Sequence, residues 1–264
     1  MKPLSIGNVV SAGLKIYRDH FKDYYYIAFI GALWSFIPIY GWAKFMANMG
    51  LISRLAFGEA VNKPETIQVA RKHTQPKLWR FLGAGIAVAL RFIGFYLLWM
   101  VALFVIMAIA GVIANILPNA VGNILSLIIG IVALLSILGM LIWLTSRYLI
   151  VDVPIAIEAD HSADSAIKRT VDLSTGNLRH IYGIVMVAGL ISVPLWSVAI
   201  TLQLIPTALS ALDIGVLAPL VTILSLVVSS ATSAFITPMW QSIKAVIYYN
   251  LLVRREGFGL ELDV

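Results

Sequence analysis

Between Arg91 and Arg147 the chain carries no charged residue, and that gap restricts the fold more than any other feature. Residues 24–43, 181–212 and 214–243 are likewise free of Asp, Glu, Lys and Arg. A soluble domain needs charge at regular intervals, because each of its elements turns one side to water. Here 60% of the 264 residues are hydrophobic and 12% charged, against roughly half and a quarter in soluble domains. About 20 apolar residues carry a helix across the hydrocarbon layer. A helix also satisfies its own backbone polar groups there. The expectation is an all-α polytopic integral membrane protein built as one membrane domain.

The basic residues orient it. Lys2, Lys15, Arg18 and Lys22 precede the first apolar run, and Lys63, Arg71, Lys72, Lys77 and Arg80 follow it. Arg147, Lys168, Arg169 and Arg179 surround a middle linker, and Arg254 and Arg255 follow the last run. By the positive-inside rule all four groups are cytoplasmic. The loops around residues 40–42, 111–122 and 206–214 carry no Lys or Arg and fall outside. An even number of crossings then separates consecutive basic groups. This predicts about six transmembrane helices in three hairpins: residues 24–40 with 43–57, 92–110 with 122–144, and 181–204 with 216–237. Pro118, Asn119, Gly122 and Asn123 supply the middle turn. The last helix is expected to continue past Pro238 toward Leu252. Gly50 interrupts the 43–57 arm, and its Lys44 and Arg54 lie near the ends, where long side chains snorkel to the interface.

A short cytoplasmic amphipathic helix introduces each hairpin, giving pseudo-repeats of about 1–58, 62–148 and 160–253. Ile6, Val9, Val10, Gly13, Leu14, Tyr17 and Phe21 form one helical face, opposite Lys15, Arg18 and Lys22. The second helix has Pro64 in its first turn with Ile67 and Ala70 on one face. The third has Ser162 as N-cap, Ala166, Ile167 and Thr170 as its face, and Gly176 as stop. Such helices either lie in the headgroup region or pack against the inner ends of the spans. For the first we expect contact with anionic lipid through Lys15, Arg18 and Lys22.

Three stretches resemble a known group. Arg147–Asn177 (RYLIVDVPIAIEADHSADSAIKRTVDLSTGN) is similar to the central linker of bacterial multi-pass proteins in the membrane-domain family named after glycerophosphoryl diester phosphodiesterase. The segment YYNLLVRREGFGLEL, with Arg254, Arg255, Glu256 and Gly257, resembles their C-terminal signature, and PLSIGNVVSAGLKIYRDHF fits their first helix. The resemblance implies a bacterial cytoplasmic (inner) membrane with both termini cytoplasmic. In the fused enzymes hydrolysis belongs to a soluble barrel, which has no counterpart here, so no catalytic residue carries over. Asn250 stands where many relatives have Asp.

The residues point to no catalytic, cofactor or metal site. There is no cysteine, so disulfides and thiolate sites are excluded. The N-terminal segment has no apolar core of signal-peptide length, so insertion without processing is expected. His20, His73, His161 and His180 all fall in cytoplasmic segments. Asp152, Glu158, Asp160, His161 and Asp164 lie close enough to hold a cation, but helix-start roles for Asp160 and Asp164 and an Asp152–Arg147 pair explain them better. Gly83-x-Gly85 lacks the rest of a dinucleotide fingerprint. No basic stripe with stacking aromatics suggests nucleic acid. Ser229, Ser230, Thr232 and Ser233, with Ala231 and Ala234, make a small polar patch suited to close helix packing. Pro194 and Pro238 are expected to kink their helices.

Two readings follow. One is a non-enzymatic scaffold, assembly or lipid-organising protein whose partners are membrane lipids, a membrane protein or a second copy. The other is a small transporter or channel for an apolar or lipid-like substrate. A cavity between the third hairpin and its neighbours would favour the latter.

Overall fold

The computed structural model describes residues 3–117, 119–158, 162–210 and 218–257, and every regular element among them is helical. In chain order these are α1 (Ile6–Asp19), α2 (Phe21–Trp34), α3 (Tyr40–Ala60), α4 (Ile67–Thr74), α5 (Leu78–Ile116), α6 (Asn119–Tyr148), α7 (Asp152–Ile157), α8 (Ala163–Ser174), α9 (Leu178–Ser210) and α10 (Ala218–Glu256). A 3₁₀ turn, Gln75–Lys77, joins α4 to α5.

Four helical segments are long and apolar enough to cross a membrane, and they lie in α5, α6, α9 and α10. Their outer reaches present large apolar side chains to the surroundings, among them Leu98, Phe104, Leu127 and Leu190. Water would oppose such a surface and hydrocarbon accepts it. The expected spans 92–110, 122–144 and 181–204 fall inside α5, α6 and α9. α10 contains the described part of the 216–237 span and runs on through Pro238 to Glu256. The α5–α6 turn is tighter than expected, since Gly122 and Asn123 already belong to α6. Pro118 lies outside the described residues.

The first hairpin departs from the expectation. α2 has 14 residues, about 21 Å at 1.5 Å per residue, against a hydrocarbon layer of about 30 Å. α3 is not among the four segments long and apolar enough to cross, and it packs centrally. Ala43, Ala47, Leu51, Ile52, Ser53 and Ala56 on it are all buried. It is continuous through Gly50, where the Phe81 ring of α5 occupies the space a side chain would take. Lys44 and Arg54 are tied to neighbouring elements. The Lys44 ammonium donates to Gln75 Oε1 at 2.7 Å. The Arg54 guanidinium donates to both Glu65 carboxylate oxygens, at 2.6 and 2.8 Å, and to the Ala156 carbonyl at 3.0 Å.

The three short amphipathic helices are present, capped by the side chains of Ser5, Thr66 and Ser162. Thr66 starts α4, which leaves Pro64 before the helix rather than in its first turn. The chain leaves α8 through Gly176 at φ +81°, a conformation that side chains disfavour. α1 packs its apolar face on α9 and α10. Val9, Val10, Gly13 and Tyr17 are buried there. At Gly13 a Cβ would stand 2.7 Å from Ile243 Cγ1 and 2.8 Å from its Cα, so only glycine lets α1 and α10 approach this closely. The Tyr17 hydroxyl donates to the Phe235 carbonyl at 2.7 Å, and burial pushes that phenol up to about 12, keeping it a donor.

Candidate functional site

Between α9 and α10 lies a cavity of about 610 Å³ floored by Leu149, Gln241 and Lys244. Along α10 it is lined by Ser229, Ser233, Thr237 and Gln241, each four residues after the last, and then by Lys244. Four-residue steps keep these groups on one helix face. Gln203 and Thr207 of α9 face them, and Trp196, Ile200 and Leu204 make the rest of the α9 wall apolar. The cleft is therefore amphipathic along its length. Ser229, Thr232 and Ser233 of the expected packing patch line it, whereas Ser230 and Ala234 are buried in the helix contact.

Several of these hydroxyls are already satisfied. Thr232 donates to the Val228 carbonyl and Thr237 to the Ser233 carbonyl, at 2.8 and 2.7 Å. Gln241, 6% exposed, differs. Its Oε1 accepts from the Ser53 hydroxyl at 2.8 Å. Among the described residues its amide N–H groups meet no acceptor, and the residue opens onto the cleft.

Lys244 closes the inner end. Its ammonium lies 2.8 Å from Asp152 Oδ2 at the start of α7. Asp152 thus pairs with Lys244 and not with Arg147, which stacks over the Trp143 ring. Both residues, with Gln241, Leu149 and Thr237, line a second pocket of about 270 Å³ walled by Met46, Met49 and Phe81. Lys244 borders both spaces and Asp152 only the inner one.

The linker holding Asp152 is pinned by cations. Lys77 donates to the Ile155 and Glu158 carbonyls at 2.8 and 2.6 Å, at the negative end of α7. The Glu158 carboxylate accepts from Tyr248 and from Arg169, and Arg169 also holds Glu256. The Glu256 hydrogen bond, more than any other influence, raises the Arg169 guanidinium further above its ordinary range. Asp164 sits in the first turn of α8. Asp160 and His161 lie outside the described residues. Among the described residues no group of three His, Asp or Glu converges on a point.

His20 sits 3.2 Å from Glu59, and His180 meets Asn250 at 3.0 Å. Asn250, 1% exposed, accepts from the Leu4 amide at 2.8 Å and so ties the start of α1 to the end of α10. Gly83 and Gly85 face Ala163 and Met46, as helix-packing glycines do. Lys15, Arg18 and Lys22 are exposed on the side of α1 and α2 away from α10, and Arg18 pairs with Asp19. A further cavity, about 420 Å³ and almost wholly apolar, lies between Tyr25, Leu195, Leu202, Val228 and Phe235.

No family model, curated protein or solved structure matches this chain. The site is therefore argued from its own geometry.

Proposed function

We propose that the protein is a non-enzymatic, lipid-organising membrane protein that holds a lipid-like amphiphile in the cleft between α9 and α10. The observation that carries this reading is the cleft's two-sided lining, with apolar α9 walls facing a line of hydroxyl and amide groups on α10. A molecule with a hydrocarbon tail and an acceptor-rich head matches both at once. The groups present are hydroxyls bonded to their own helix, two amides and a charge-balanced ion pair. They suit holding rather than bond-breaking.

The proposed setting is a bacterial inner membrane with both termini on the cytoplasmic side, on the strength of the basic residues and the family resemblance. Four crossings and the short α2–α3 hairpin, entering without a full crossing, give the same orientation as six crossings would. Phe36, Ile37, Ile39 and Trp42 at the hairpin tip are exposed, which suits insertion into the apolar layer.

Lipid movement is a second reading, favoured by the length of the polar line. Ser229 to Lys244 spans about 22 Å along α10, more than one leaflet's share of a hydrocarbon layer of about 30 Å.

Extraction in gentle detergent followed by mass spectrometry tests the first reading. Roughly one retained lipid per chain is the expected result. A lipid-free chain carrying a stoichiometric protein partner would replace it with the scaffold reading.

A further inference from the structure

Donors dominate the floor of the cleft. Gln241 lines it, and its amide N–H groups meet no acceptor among the described residues. Lys244 has three N–H donors, and one is engaged by Asp152. The Gln203 amide stands on the opposing wall. The Asp152 carboxylate borders the inner pocket but not the cleft, so it lies on the far side of Lys244 and leaves the cleft side electropositive.

The floor also lies at a defined depth. Lys244 is ten and eleven residues before Arg254 and Arg255, at the basic end of α10, and the apolar stretch of the helix rises from it. An acceptor bound at Lys244 therefore belongs to the lipid leaflet on the basic side, with its tail directed toward Ser229 and Leu204.

We propose that the cleft seats one phospholipid of that leaflet, its phosphate on the Lys244 ammonium and Gln241 amide and one acyl chain between α9 and α10. This rests on the lipid-holding reading above and adds the headgroup chemistry. Phosphate is the lipid group that takes several donors at once, including a charged one. The bare glycerol head of diacylglycerol offers no charge for the ammonium.

The test uses the full chain in detergent, melted with mixed micelles carrying phosphatidylethanolamine or phosphatidylglycerol, with diacylglycerol of the same chains, or with inorganic phosphate. The phospholipids should raise the Tm clearly, diacylglycerol less, and inorganic phosphate not at all. Gln241→Glu keeps the shape and the Ser53 hydrogen bond but opposes an anion. It should weaken phospholipid binding about tenfold, as expected for loss of a hydrogen bond to a charged group, and leave diacylglycerol binding unchanged. Thr232→Trp fills the cleft and should remove the effect of both lipids.

Equal effects of phospholipid and diacylglycerol in the parent, with Gln241→Glu indifferent, would overturn the headgroup assignment while the lipid-holding reading stands. So would inorganic phosphate stabilising as well as phospholipid. If Thr232→Trp melts like the parent and responds to lipid equally, the lipid-holding reading falls and the assignment with it.

Discussion

Lys244 Nζ and Asp152 Oδ2 stand 2.8 Å apart across 92 residues of chain, joining the last helix to the linker between the two main pairs of long helices. With side chains 13% and 22% exposed, the pair is held largely away from water. Losing one partner leaves the other charge largely desolvated and unpaired. Lys244→Met should cost on the order of 2–3 kcal/mol, somewhat below the full cost of an orphaned buried charge because of the remaining exposure. The double variant Lys244→Met, Asp152→Asn should recover most of the lost Tm. A double variant no more stable than the single one would show that the pair contributes nothing beyond its individual charges.

Gly13 is the narrowest point of the α1–α10 contact. Because the would-be Cβ meets the Ile243 backbone, no side-chain rotation relieves Gly13→Ala. Overpacking of this kind costs about 1–3 kcal/mol. Limited proteolysis should cut the variant within α1 faster than the parent, and an unchanged digestion pattern would contradict the close packing.

Asn250 links Leu4 to His180. Asn250→Leu leaves the half-buried Leu4 amide without its acceptor, a loss of about 1–3 kcal/mol, and should raise hydrogen exchange at residues 4–8. Asn250→Asp keeps the acceptor for Leu4 and should protect that segment far better. Equal exchange in both variants would mean that the N-terminal segment is held by packing alone.

The absence of cysteine gives a clean background for labelling. Single cysteines replacing Asn119 and Ala208 should react with an impermeant reagent in intact cells. Replacements at Ser162 and Gly257 should react only after permeabilisation. A cysteine at Ile37 should stay unlabelled from outside, as a hairpin that does not cross requires. Outside labelling at Ile37 would restore six crossings.

Lys15, Arg18 and Lys22 face away from the core, so changing all three to Gln should leave the Tm within about 1 °C, as expected for surface substitutions. Each cation near an anionic surface contributes about 1 kcal/mol, and Asp19 offsets part of this. The triple variant should therefore retain less anionic lipid in native mass spectra. Undiminished retention would assign these charges to topology alone.

Four of the long helices were legible because a charge-free stretch has one reading whatever its neighbours do. Ser5, Thr66 and Ser162 cap their helices by local chemistry, which sequence carries well, and Ser162 was recognised. α3 is hard to read from sequence because Ala43, Ala47, Gly50, Ser53 and Ala56 make a weakly apolar segment. Small residues of this kind let neighbours close in on several sides, which a hydropathy count does not register. The sequence shows the patch of Ser229 and Ser233, and the same four-residue spacing carries it through Thr237 and Gln241 toward Lys244, a line that takes on meaning only once α9 is seen to face it. The partners of Gln241 and Lys244, Ser53 and Asp152, lie 188 and 92 residues away, beyond any local pattern.

The ties between Leu4 and Asn250, Gly13 and Ile243, and Ser53 and Gln241 mean that the packing of the first helices is completed by the last one. Translation at roughly 5–20 residues per second puts about 10–40 s between the emergence of α3 and that of the inner half of α10. Until α10 emerges, the face of α1 bearing Val9 and Val10 lacks the larger part of its seat. A ribosome halted after α9 would leave α1 seated on α9 alone, without Ile243 and Asn250 to complete its groove.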